Sequence, residues 1–346
     1  MSRYSRVMLG VKIAFTYVGT VIGAGFASGQ EILQFFTVYG NYSAFSILLT
    51  AFLFVWVGIR LLRMGYESRS RSFRDTIKMI FGRLSPLVNG YMLLAIVMVA
   101  AAMLAGAGAL FEEYISVPFY IGVIITAVVV WAFVASGLKG IFAINAWIIP
   151  VILLFNLFVF AYSLLMDDYT FEFMPVFDVT AFDIVKSAVS YASFNIVLAL
   201  GVLIPAGSEV DDPRALKVGG ALGGSILGAM LLASNYSLMR CVPEVYEFEV
   251  PMLYIVYRMG PFFSMAFVMV MWGAILTTLV ANAFSVACAI NDVFKLSMHA
   301  ALLMTIAACV ALSFVGFSRI VAFVYPLLGI IGFIVICAMF ILVKRR

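Results

Sequence analysis

The stretch GTVIGAGFASGQE occupies residues 19–31, inside the first long apolar run of the chain. It holds Gly19, Gly23, Gly25 and Gly29 and closes on Gln30 and Glu31. Glycine costs a helix interior about 1 kcal/mol relative to alanine, and a charged side chain at mid-bilayer costs about 3 kcal/mol or more. A segment that accepts both predicts a helix that leaves its own hydrogen-bond ladder to serve a buried ligand.

The surroundings make the bilayer the relevant solvent. The 346 residues are 65% hydrophobic and 11% charged, with a mean hydropathy of +1.15. Soluble chains carry about 25% charged residues, so this composition predicts an all-α integral membrane protein. A span needs about 20 apolar residues. Ten segments meet that requirement, near 8–38, 43–65, 86–111, 118–136, 138–165, 183–209, 214–239, 261–291, 297–315 and 318–343. The first lacks a small-residue cleavage site and is expected to be retained as a helix.

Charge supports this count. With the N-terminus placed in the cytoplasm, Lys186, Arg240, Arg258 and Arg319 fall outside, and the remaining seventeen of the 21 Lys and Arg residues fall inside. The outer loops are acidic, with Glu112, Glu113, Asp167, Asp168, Glu172, Asp178, Asp183, Glu244, Glu247 and Glu249. Both termini are therefore expected in the cytoplasm of a multi-pass cell (inner) membrane protein. The inner stretch ESRSRSFRDTIKMIFGR at 67–83 has room for a short amphipathic helix near the lipid surface. Basic residues spread over short loops give no nucleic-acid footprint, so the expected partners are membrane lipid and a small-molecule substrate.

Ten spans divide into five plus five, and an odd number per half inverts the second half relative to the first. The expected organisation is one transporter domain over 1–346, with inverted repeats near 8–165 and 183–343 and discontinuous helices 1 and 6. Segment six, SYASFNIVLALGVLIPAGSEV at 190–210, supplies Asn195, Gly201, Pro205 and Gly207 for the second break. The glycines of GGALGGSILGA at 219–229 and MVAAAMLAGAGAL at 98–110 are instead read as helix-packing faces.

GTVIGAGF resembles the unwound first helix of LeuT-type transporters, the amino acid–polyamine–organocation superfamily. The longer YVGTVIGAGFASGQE makes the chain resemble the bacterial YkvI-like membrane proteins within it. AILTTLVANAF at 274–284, followed by KLSMHA at 295–300, resembles the eighth helix of sodium-coupled members. The resemblance implies a sodium ion held by the carbonyls of Gly19, Ile22 and Ala274 and the hydroxyls of Thr277 and Thr278. Hydrogen bonding of both hydroxyls to their own helix is the plainer alternative. The resemblance further implies a substrate lined by Val21, Ala24 and Gly25 and by Ser193, Asn195, Ala199 and Gly201. Amides near Phe26 and Ala27 would suit a carboxylate, which makes an amino acid the natural substrate.

Glu31 departs from that pattern. With Gln30 it is a candidate coupling or gating residue, and its possible jobs are binding a cationic substrate, relaying a proton, or pairing with a base such as Lys186. Glu209 is expected at the cytoplasmic face or at an inner gate near Lys12 or Arg6.

Other classes fare worse. The single histidine, His299, and the scattered Cys241, Cys288, Cys309 and Cys337 offer no catalytic centre or multi-residue metal site, so no enzyme and no organic cofactor is expected. No phosphate-binding loop supports an ATP-driven pump. The expectation is cation-coupled symport, sodium favoured, of an amino acid or related solute by alternating access. Proton-coupled transport of an amine through Glu31, or a small-molecule sensor of the same fold, are the alternatives.

Overall fold

The computed structural model describes residues 3–69, 73–136, 141–165 and 178–344. Arg71, Lys139, Asp167, Asp168, Glu172, Arg345 and Arg346, used above to orient the chain, lie outside them. Among the described residues there are helices and no strand.

The first apolar segment is divided, as the glycines require. Helix α1 (Arg3–Val21) ends at mid-segment, α2 (Ala24–Ser28) follows after two residues, and α3 (Gln30–Phe35) follows Gly29. Gly23 is extended (φ −115°, ψ −170°), and Gly29 takes a left-handed φ of 81° that favours glycine. The chain continues through α4 (Ser43–Ser68), the short α5 (Phe73–Phe81), α6 (Ser85–Ile115), α7 (Phe119–Ser136) and α8 (Ile141–Leu164). The second half begins with α9 (Ala181–Ser208), α10 (Pro213–Met239), the short α11 (Pro251–Met259) and α12 (Pro261–Phe294). It closes with α13 (Met298–Ser313), α14 (Phe317–Arg319), a π-helical turn over Ile320–Val324, and α15 (Tyr325–Lys344).

Six helical stretches are long and apolar enough to cross a membrane: 37–68, 76–115, 181–208, 213–239, 261–291 and 317–342. Shorter apolar helices cover 119–135, 150–164 and 298–313. The protein is a multi-pass membrane protein. The helices pack in two groups, each drawing on both halves of the chain. One joins α1, α4, α9 and α10, and the other joins α6, α7, α12 and α13. Helix α8 bridges α10 and α12, and α15 lies along α9. Helices α6 and α9 are innermost, with 72% and 78% of their apolar windows buried against 44–56% for the other long spans.

Small residues set the close approaches. On α10, a Cβ at Gly219 or Gly223 would strike Ile13 or Tyr17 of α1, and one at Gly220 or Gly224 would strike Ile59 or Val55 of α4. The glycine-rich face thus seats two helices at once, which is the dry packing a lipid-embedded bundle depends on. Tyr17 crosses one of these interfaces and donates its hydroxyl to the Phe54 carbonyl (2.9 Å).

Two expectations change. Helix α9 is continuous from Ala181 to Ser208, so segment six has no break. Pro205 lies in the last turn, where its missing N–H deprives only the Gly201 carbonyl, and Asn195 Nδ2 donates to the Tyr191 carbonyl (3.1 Å) within the same helix. The amphipathic helix expected within 67–83 is α5, but its apolar side is taken by protein. Ile77, Ile80 and Phe81 are buried, and α5 packs on α6, α9 and α15.

Candidate functional site

The break in the first segment releases backbone groups at the centre of the bundle. The α1 ladder stops where the Ile22 amide donates to the Val18 carbonyl (2.8 Å), and resumes where the Ala27 amide donates to the Gly23 carbonyl (3.0 Å). Between these two bonds the carbonyls of residues 19–22 and the amides of residues 23–26 leave the helical pattern. Such groups are costly in hydrocarbon unless they line a cavity or find a partner.

They line a cavity. It has a volume of about 130 Å³ and is walled by residues 19–25 and Glu31 from the broken segment, Phe194, Asn195 and Leu198 from α9, Ala274, Thr277 and Thr278 from α12, and Tyr325 from α15. Val99 and Met103 of α6 and Ile152 of α8 complete it. One water needs about 10–15 Å³ of such space, so the cavity has room for several waters or one small solute.

All five residues expected to hold a cation meet here. Gly19 and Ile22 face the cavity from the break, and Ala274, Thr277 and Thr278 from α12. Both hydroxyls donate to the Ala274 carbonyl, at 3.0 Å from Thr277 and 2.9 Å from Thr278. Each proton is thereby committed to the helix, while the hydroxyl oxygen keeps lone pairs that a cation can use. The Ala274 carbonyl accepts both bonds, which makes it an organiser of the hydroxyls and the weakest acceptor of the five.

The residues expected to line a substrate are brought together in part. Val21, Ala24, Gly25 and Asn195 line the cavity. Phe26, Ser193, Ala199 and Gly201 do not: Phe26 and Ala199 are buried in packing, and Gly201 is exposed because an unbroken α9 turns it outward. Ala27 lines a separate apolar cavity of about 20 Å³ with Asn156 and Met252. Its amide is already bonded to Gly23, so the anion-binding amides expected near Phe26 and Ala27 are not available at Ala27.

Glu31 sits deeper than its place in the sequence suggests. It is 6% exposed and forms part of the cavity wall. Its carboxylate lies against the backbone of the break, so that a Cβ at Gly25 would collide with Glu31 Oε1. Tyr191 and Tyr325 are its electrostatic neighbours. Lys186 is exposed, and among the described residues it makes no ion pair with Glu31. Gln30 is buried outside the cavity, with its amide on Ser28 Oγ (3.1 Å) and its Oε1 unpartnered.

Phe194 and Tyr325 were not singled out by sequence reasoning. Their rings pack with centroids 4.3 Å apart and planes 31° apart, and both face the cavity. Tyr325 follows directly on the π-helical turn, a distortion that recurs at functional sites.

At the chain's polar ends, Arg6 Nε contacts Asp212 Oδ2 (2.7 Å) and Arg69 contacts Asp211 (2.7 Å). Arg6 thus meets Asp212 and leaves Glu209 exposed. The Arg6 guanidinium holds the Asp212 carboxyl below the usual carboxylate range.

A helix broken beside a cavity in an all-helical bundle has counterparts among solved membrane proteins of similar fold. The solved inward-facing structure of Mhp1 superimposes with a TM-score of 0.68 at 12% identity, over 93% of this chain and 73% of that one. MhsT in complex with L-phenylalanine matches with a TM-score of 0.63 at 16% identity, over 99% and 98%. No protein-family model matches. Among curated proteins, the Bacillus subtilis membrane protein YkvI is 30% identical over 325 residues, 93% of this chain and 92% of its own. YyaD of the same organism is 24% identical over 330 residues, 95% of each. The chain belongs to the YkvI family, and its fold is that of the LeuT-type transporters.

Proposed function

We propose that this protein is a sodium-coupled symporter of a small amino-acid-like solute, working by alternating access across the cell membrane with both termini in the cytoplasm. One observation carries the reading: carbonyls freed by the break in the first segment share a cavity with two threonine hydroxyls whose protons are tied down. Hard cations take oxygen ligands, and unwound backbone with threonine is an oxygen-only set. The residues that would hold sodium are Gly19, Ile22, Thr277 and Thr278, with Ala274 fixing the hydroxyls. Sodium would supply charge that ties the broken segment to α12; Val21, Ala24, Gly25, Glu31, Asn195 and Tyr325 would hold the solute.

Further support comes from architecture. The two helix groups each combine members of both halves, as expected of ten spans in a five-plus-five inverted repeat. Among the described residues the first segment is interrupted and α9 is continuous. Mhp1 is a nucleobase-cation-symport transporter solved with bromovinylhydantoin, and MhsT was solved with L-phenylalanine, so this fold accommodates solutes of that size.

The test is thermal stabilisation of purified protein by amino acids, amines and carboxylates, with and without sodium, followed by uptake of any hit into proteoliposomes. Ligands that bind only the folded state raise the melting temperature by mass action. Sodium-dependent stabilisation and gradient-driven uptake are expected. Solute binding with no flux, under any gradient, would replace transport by sensing.

A further inference from the structure

The cavity has a marked chemical polarity. Among the described residues, Glu31 and Tyr325 are its ionisable side chains, and no Lys, Arg or His is among its walls. Tyr325 is 1% exposed and its Oη is without a hydrogen-bond partner. Tyr191, 0% exposed, places its hydroxyl beside Glu31 and Asn195 without lining the cavity. Asn195 commits Nδ2 to the Tyr191 carbonyl, which leaves Oδ1 as a further acceptor on a cavity residue. A buried carboxylate with no ion-pair partner among the described residues is expensive, and the unpartnered Tyr325 hydroxyl adds to the cost. A ligand that supplies a positive charge and several N–H donors would relieve both.

We infer that Glu31, Tyr325 and the Phe194 ring form the recognition site for an ammonium group, which makes the solute an amine or an amino acid and excludes simple carboxylates and neutral solutes. The inference rests on the transporter reading and narrows its substrate. An ammonium has three donors and no acceptor, which matches a carboxylate oxygen, a tyrosine oxygen and an amide oxygen. Phe194 and Tyr325 stack on each other and both line the cavity, so the ring surface that neither partner covers is within reach of a desolvated cation. A solute carboxylate finds no basic side chain here.

A matched set of isoamylamine, L-leucine, isocaproate and isoamyl alcohol tests this in the full-length purified protein, with sodium present. Calorimetric binding and thermal stabilisation are both read. Isoamylamine and L-leucine should bind, and isocaproate and the alcohol should not. Glu31→Gln should weaken the binders by about tenfold or more, the size expected for a hydrogen bond to a charged group. Tyr325→Phe should weaken them a few-fold and guards against a fold defect in the first variant, whose unliganded melting temperature should not drop. Binding of isocaproate or the alcohol, insensitive to Glu31→Gln, would overturn the amine assignment and leave the transporter intact. Equal binding of the amine by parent and Glu31→Gln would also overturn it. Absence of binding by any member of the set, together with no uptake of amino acids or amines, would overturn both readings.

Discussion

Helix α1 with its continuation α2, and helix α9, read alike along the sequence and differ in space. Both carry glycines at mid-segment with polar residues close by, yet the first breaks and the second does not. The first breaks where four glycines are followed by a buried carboxylate. Gly23 is extended, Gly29 is left-handed, and Gly25 leaves space that Glu31 fills. In α9 the mid-helix glycine faces open space: a Cβ at Gly201 would meet no atom within 4 Å, and Asn195 reinforces its own helix. Glycine permits a break, and its surroundings decide whether the chain takes one.

Substitutions at the matching glycines should separate these cases most sharply. Gly25→Val drives a side chain into Glu31 and into the cavity, so solute-induced stabilisation should disappear and the unliganded protein should lose about 1–3 kcal/mol. Binding that survives Gly25→Val would place the solute elsewhere. Gly201→Ala should do the reverse, leaving binding unchanged and raising stability by up to about 1 kcal/mol. A loss of binding there would mean that α9 opens at Gly201 during function. Pro205→Ala restores one donor in the last turn and should shift the melting temperature only slightly, with binding unaltered. A large drop would show that the proline shapes a conformation other than this one.

These contrasts explain what could be read in advance. The division of the first segment was legible because Gly19, Gly23, Gly25 and Glu31 violate two membrane rules within one run. Ala274, Thr277 and Thr278 were named through the resemblance of AILTTLVANAF to an eighth helix of known transporters, and they do line the cavity. Tyr325 and Phe194 were not legible, because α9 and α15 are apolar on most sides and no polar stripe fixes which face turns inward. The π-helical turn before Tyr325 is written as IVAFV, which carries no local signal for one. The second break was over-read: Pro205 and Gly207 are turn-like residues, but they stand at the end of the helix and not at its centre.

The smallest expected effect lies at the polar ends. Arg6 lowers the folded-state pKa of Asp212 below its unfolded value near 4. That pair therefore adds stability above about pH 4, and its contribution fades as pH falls through the folded value. The melting temperature of the parent should decline more steeply on that acid limb than that of Arg6→Ala. Parallel limbs would reduce the Arg6–Asp212 contact to a pair without energetic weight, as many exposed ion pairs are.

The most direct test of the central claim is equilibrium binding of radioactive sodium to the purified protein, compared with Thr277→Ala combined with Thr278→Ala. Saturable binding in the parent, lost in the double variant while its melting temperature without sodium holds, is the predicted result. Equal binding in both proteins, or no saturable binding in the parent, would contradict a sodium site between the broken first segment and α12.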